Sequence, residues 1–357
     1  MMFRRKQGWK ARLKRIAIAA TLVAVGLTVY GLRFHPEQED VEGQRAQLAK
    51  RERVATTPRI DAATLMTDLK VLSDPAMEGR KVGTPGGARA RAYVLQRFRQ
   101  IGLDPVGAGY EQPFSFAPGR GIRFWRASFW KTPQPVSGVN LIGSVAGTAD
   151  PGQVIVISAH YDHLGVRNGK IYTGADDNAS GVAAMLAVAT WFRAHPPRHT
   201  MLFVAFDGEE AGLRGARAFL EKPPVPETQI LANINFDMLS RSKPGEIFVT
   251  GLWANPQLRA TLEPLRTHAL PTVLYGHDHP RPFWNGDDWT MQSDQGVFAQ
   301  KDIAFLYFGV EDHPDYHQPT DRFEKVDVPF YPQVADLVTG VAVAVDAMPA
   351  DQIRHKP

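Results

Sequence analysis

An apolar strand that runs straight into imidazole and carboxylate groups constrains this chain more than any other feature. Residues 154–177 read VIVISAHYDHLGVRNGKIYTGADD. The β-branched run Val154, Ile155, Val156, Ile157 predicts a buried strand of a mostly parallel sheet. It ends in His160, Asp162 and His163, groups that do not belong in a core. A short loop then leads to GADDNASG (174–181) and an Ala-rich helix. In open α/β sheets, chemistry sits where strands end and helices begin. Imidazole and paired carboxylates at such a junction are donors for zinc or a similar divalent ion.

The rest of the chain repeats the pattern. Strands are expected at 154–158, 201–206, 230–236, 246–250 and 303–308. Helices are expected at 179–194, 212–220, 256–268, 294–301 and 331–347. This alternation predicts an α/β fold with a mostly parallel central sheet flanked by helices on both faces. Upstream, Asp61 can cap a helix over 62–72. A Gly- and Pro-rich loop (73–87) precedes a second helix over 88–101, which Gly102 ends. Between 110 and 145, EQPFSF, RFWRASFW and GVNLIGSV alternate aromatic and polar residues, as an antiparallel edge or flap does.

Composition narrows the chemistry. There are no cysteines, so disulfides, thiolate metal sites and a cysteine nucleophile are excluded. The formal net charge of +4 is misleading, because seven of the 41 basic residues lie in 1–15; the 34 that remain face 37 acidic ones. The body therefore offers no electrostatic footprint for nucleic acid. The uncharged run 16–32 behind that basic segment has the length of a transmembrane helix, with the N-terminus held in the cytoplasm. It lacks an A-x-A cleavage signal, which favours an uncleaved signal-anchor over a secreted form. The expected organisation is a basic cytoplasmic segment (1–15), the anchor (16–32), a polar linker (33–57), a catalytic domain (58–348) on the extracytoplasmic side of the cell membrane, and a tail (349–357). No feature sets the oligomeric state.

Four strand ends carry donors. The first gives His160, and the loop after it Asp176. FVAFDGEE delivers Asp207, Glu209 and Glu210; NINFDM delivers Asp237; the segment after the last strand, EDHPDYHQPTD, holds His313 and His317. The ends of neighbouring parallel strands converge in space, so these groups are expected to meet. In the adjacent pair Glu209–Glu210, one carboxylate can bind metal while the other takes a proton from water. No G-x-S-x-G elbow is present, and Ser180 is read as part of a helix start. His163, His277, His279 and His313 are read as loop or rim residues, and Asp207 as a structural hydrogen-bonder. The loop 276–289 either lines the substrate cleft or is a Pro-rich surface loop.

SAHYDHLG, GADDNASG, FDGEEAGLRGA, NFDM and YHQPTD together resemble the ordered motifs of the dizinc exopeptidases, a superfamily of secreted aminopeptidases, glutamate carboxypeptidase, the transferrin receptor and glutaminyl cyclases. The resemblance covers about 59–345. It implies two Zn2+ ions per chain, with Asp176 bridging them, His160 and Asp237 completing one position, and Glu210 and His317 the other. It makes Glu209 the general base and acid, and Asp162 the residue that orients His160. Tyr316 would hydrogen-bond the oxyanion, and the Asp176–Asp177 peptide would be cis. The implied function is an aminopeptidase that hydrolyses N-terminal residues of peptides through a metal-bridged water. The alternatives are a single-zinc glutaminyl cyclase-like acyltransferase and a non-catalytic receptor-like ectodomain. The interval 109–152 is too short for the protease-associated domain many relatives carry. Ser293, Asp294, Gln295 stands where relatives often read SDH.

Overall fold

The computed structural model describes residues 41–51, 57–117, 134–278 and 288–354. The expected membrane span, the strand RFWRASFW and most of the loop 276–289 lie outside them. Among the described residues, no helix is long and apolar enough to cross a membrane.

The chain begins with α1 (Val41–Leu48), in the stretch expected as linker. The capped helix α2 (Ala62–Leu72) follows, with the Asp61 carboxylate accepting from the Ala63 and Thr64 amides at 3.2 Å. Helix α3 (Pro85–Ile101) starts three residues earlier than expected. Thr84 caps it through the Gly87 amide, and Pro85 has its φ preset for a first turn. Gly102 ends it in the left-handed region at φ 80°, as expected.

Strands β1 (Asp104–Pro105), β2 (Glu111–Phe116), β3 (Val136–Val145) and β4 (Asp150–His160) come next, then a small hairpin, β5 (Gly165–Arg167) and β6 (Lys170–Tyr172). The alternation then runs α4 (Gly181–Ala194), β7 (His199–Phe206), α5 (Arg214–Glu221), β8 (Ile230–Phe236), β9 (Glu246–Thr250), α6 (Arg259–His268), β10 (Thr272–Tyr275), α7 (Gln295–Ala299), β11 (Ala304–Gly309), α8 (Tyr331–Asp346) and α9 (Ala350–Ile353). The nine-stranded sheet has the order β1-β3-β7-β4-β8-β11-β9-β10, with β2 also on β3. The pairs β7–β4, β4–β8, β8–β11 and β9–β10 are parallel. The pairs β2–β3, β3–β7 and β11–β9 are antiparallel.

Both faces are covered. Side chains alternate along a strand, so β4 serves two cores at once. Ile155, Ile157 and Ala159 pack with Val182, Met185 and Val338 on one side. Val154 and Val156 pack with Leu202, Phe219 and Phe298 on the other. The expected mixed α/β sheet is therefore present. The sequence reading missed the hairpin β5–β6 and strand β10, both too short to show a period. It also missed α1, whose Gln44 amide donates to the Tyr275 carbonyl at 2.8 Å and accepts its N–H at 2.9 Å. These bonds satisfy the backbone of Tyr275 in β10, an edge strand among the described residues.

Candidate metal centre

Strands β7, β4, β8 and β11 run in one direction, so the segments that follow them share one edge of the sheet. His160 is the last residue of β4. Glu209 and Glu210 follow β7 after a Gly208 in the left-handed region, and Asp237 directly follows β8. His313, Tyr316 and His317 lie in the loop after β11. The convergence expected from the strand ends is realised.

The donors form two groups around one carboxylate. His160 Nε2 lies 3.2 Å from Asp237 Oδ1 and 3.5 Å from Asp177 Oδ1. On the other side, His317 Nε2 lies 3.1 Å from Asp177 Oδ2 and 3.4 Å from Glu210 Oε1. The residue that spans the groups is thus Asp177, not Asp176 as expected, and the cis peptide is Asp177–Asn178, one bond further on. Asp176 faces away. Its Oδ1 accepts from the Ser240 amide at 2.7 Å and hydroxyl at 2.8 Å, and its Oδ2 pairs with His313 Nε2 at 3.0 Å.

The turn that presents Asp177 is held from every side. The Asp321 carboxylate accepts from the amides of Asp176 and Asp177 at 3.1 Å. Asn178 donates to the Phe236 carbonyl at 2.8 Å and accepts from the Gly181 amide at 2.9 Å. The Ser180 hydroxyl donates to the Asp176 carbonyl at 2.7 Å and accepts from the Leu239 amide at 2.9 Å, so it is structural, as expected. Behind the turn, the fully buried Arg80 donates to the carbonyls of Leu72, Tyr161, Thr173 and Gly174 at 2.6–2.9 Å. Burial pulls its guanidinium down to about 10, although Asp177, Asp321, Asp162 and Glu210 oppose that shift.

Asp162, expected to orient His160, meets it through its backbone: its carbonyl faces His160 Nδ1 at 3.1 Å. Its carboxylate stands 3.7 Å from that nitrogen and instead accepts from the Glu209 amide at 2.9 Å. Glu209, Glu210, His160, Asp177, Asp237, Tyr316 and His317 line a cavity of about 360 Å³. The Tyr316 ring stacks on His317 at 4.0 Å.

Charge is concentrated here. Burial pushes the Glu209 carboxyl well up; His160 opposes this, and Asp294, Asp237 and Glu210 add to it. Burial also raises Glu210, but the imidazoles of His163 and His317 outweigh it and hold that carboxyl well below its usual range. Burial would lower His317; Asp177 and Glu210 raise it to about 10 instead. Carboxylates and imidazoles crowded this way can hold a cation. Donors from His160, Asp177 and Asp237 fit one, as do donors from His163, Asp177 and Glu210. The buried Glu210 Oε1 has no hydrogen-bond partner. An all-imidazole and carboxylate donor set suits zinc.

Sequence reasoning missed several of these residues. His163, read as a rim residue, is fully buried beside Glu210. His313 supports Asp176. Asp294 is fully buried, with both carboxylate oxygens lacking a hydrogen-bond partner. The HxDH spacing was the only available signal for His163. His277 lies in the loop after β10, stacked on Trp289 at 3.8 Å and paired with Glu311. His279 lies outside the described residues. Asp207 is structural as expected, accepting from the Val139 amide at 2.9 Å.

Residues 140–342 match the family described as Peptidase family M28. A probable zinc metalloprotease of Pyrenophora tritici-repentis (strain Pt-1C-BFP) is 35% identical over 115 residues, 30% of this chain and 26% of that protein. Aminopeptidase YwaD of Bacillus subtilis (strain 168) is 26% identical over 196 residues, 52% of this chain and 40% of that protein. Such matches span between 20% and 42% of the curated relatives' length. Among solved structures, an aminopeptidase from Aneurinibacillus sp. strain AM-1 shares the fold with a TM-score of 0.63 at 16% identity, covering 80% of this chain and 93% of that one.

Proposed function

Because the chain belongs to peptidase family M28, a family of metallopeptidases, we propose that it is a dizinc aminopeptidase that removes N-terminal residues from peptides. The observation that carries this reading is the Asp177 carboxylate, whose two oxygens face His160 on one side and His317 on the other. In the proposal, His160, Asp177 and Asp237 hold one ion, and Asp177, Glu210 and His317 the other. Bound zinc supplies a Lewis acid that polarises a carbonyl and acidifies water.

The chain's own groups do the rest. Glu209 takes a proton from the attacking water and returns it to the amine nitrogen as the C–N bond breaks. The Asp162 carboxylate fixes the Glu209 backbone through its amide, and the Asp162 carbonyl fixes the His160 ring. Tyr316 lines the same cavity and offers its phenol to the carbonyl oxygen of the scissile bond. The cavity of about 360 Å³ falls in the range of small-ligand pockets. The likeness to aminopeptidase YwaD supports the aminopeptidase polarity. Residues 1–32, outside the described part, support anchoring to a membrane with the catalytic domain outside the cytoplasm.

The test is hydrolysis of short peptides with free and with blocked N-termini. Turnover confined to free N-termini supports an aminopeptidase. Equal turnover of blocked peptides overturns that polarity, and cyclisation of N-terminal Gln without peptide hydrolysis replaces the reading with an acyltransferase.

A further inference from the structure

His163 takes no part in that mechanism, yet its imidazole is fully buried against the second donor group. Its Nδ1 lies 2.8 Å from Glu210 Oε1 and 3.6 Å from Asp177 Oδ2. Neither ring nitrogen has a hydrogen-bond partner, and neither does Glu210 Oε1. At 2.8 Å the imidazole and the carboxylate stand at ion-pair distance. Buried polar atoms without a partner are costly and rare. His163, Asp177 and Glu210 each offer one ligand atom, and these lie within 4.8 Å of one another, a set that could hold a metal ion.

The position of the His163 ring is built into the backbone. A Cβ on Gly174, whose φ is +55°, would come within 2.6 Å of His163 Cγ and Cδ2. The absence of a side chain there is what lets the ring lie where it does. Arg80 holds the Gly174 carbonyl from behind, so the loop that admits the ring is itself fixed. His317 Nε2 reaches the same Glu210 and Asp177 oxygens from the other side, and its side chain is 39% exposed. His163 is thus the buried imidazole of this group and His317 the accessible one.

Resting on the dizinc reading above, we infer that His163 is a fourth protein donor to the second ion, beside Asp177, Glu210 and His317. The two positions are then unequal. The first has three protein donors and keeps a place open, as catalytic zinc sites do; the second has four, as closed sites do.

The test uses the full-length chain purified in detergent and loaded with zinc. X-ray absorption at the zinc edge counts imidazole donors on the wild type, so it does not depend on a variant that folds. Three imidazoles per ion pair are expected; two would overturn the inference while leaving the dizinc reading intact. Chelator competition on His163→Ala gives the second readout. Loss of an outer partner weakens a metal by about 10–100-fold, and loss of a donor should weaken the tighter ion by more than that. A loss within or below that range assigns His163 to an outer role and overturns the inference. A wild-type chain that binds fewer than two ions overturns both this inference and the dizinc reading.

Discussion

Asp176 and Asp177 are neighbours in the chain whose carboxylates serve opposite sides of one turn. Asp177 faces His160 and His317, whereas Asp176 is taken up by Ser240 and His313. The two positions should therefore respond differently to the same change. Asp177→Asn is expected to abolish binding of the ion pair and reduce hydrolysis to the limit of detection. Asp176→Asn, which keeps the shape and loses only a supporting charge, is expected to weaken metal binding by about 10–100-fold. Zinc content after dialysis distinguishes them; equal loss in both variants would contradict the assignment of Asp177 as the shared residue.

Arg80 carries the turn's position. Its guanidinium meets four buried carbonyls and no carboxylate partner within the same set of bonds. Arg80→Met leaves those carbonyls short of donors, each worth about 1–3 kcal/mol when buried and unsatisfied. A destabilisation of at least about 3 kcal/mol is expected by denaturant unfolding of the metal-free protein. Lys cannot reach four acceptors in that fork, so Arg80→Lys should recover only a part of the loss.

The buried Asp294 gives a pH signature. In the metal-free protein, burial raises its carboxyl from 3.8 to about 8; His160 opposes this, and Asp162 and Asp237 add to it. Between those two values the native state keeps a proton that the unfolded chain releases, so this group costs stability as pH rises through the window. Asp294→Asn cannot titrate. Its Tm relative to wild type, measured with chelator present, should climb from pH 5 to pH 9. A constant difference across that range would contradict a raised carboxyl at this position.

Metal removal should also unload the site's stability. An ion that binds only the native state stabilises it by about 2.7 kcal/mol at a hundred times its Kd. Chelation should lower Tm, and added zinc should restore it in a concentration-dependent way. A Tm that ignores both would contradict a cation at this cluster.

Much of this was legible in advance, because parallel strands with apolar cores announce themselves and their ends must converge. The strand runs 154–158, 201–206 and 230–236 therefore placed His160, Glu209, Glu210 and Asp237 at one edge. What the sequence left undecided is which way a side chain turns. In the adjacent pair Asp176–Asp177, either carboxylate could span the donor groups. The choice is made by Ser240, His313 and Asp321, which come from distant segments. His163 has the same difficulty: a histidine three residues after a strand end reads as loop until the Gly174 backbone is seen to admit its ring. Asp294 and Arg80 gave no signal, since nothing in a sequence marks a charge that will be buried without an ion-pair partner.

The most direct test of the central claim pairs zinc content with hydrolysis of an amino-acyl substrate in wild type and Glu209→Gln. Two zincs per chain are expected in both, with turnover lower by about 10²–10⁴-fold in the variant, the contribution of a positioned general base. Zinc retained with undiminished turnover would remove Glu209 from the chemistry and contradict the mechanism proposed here.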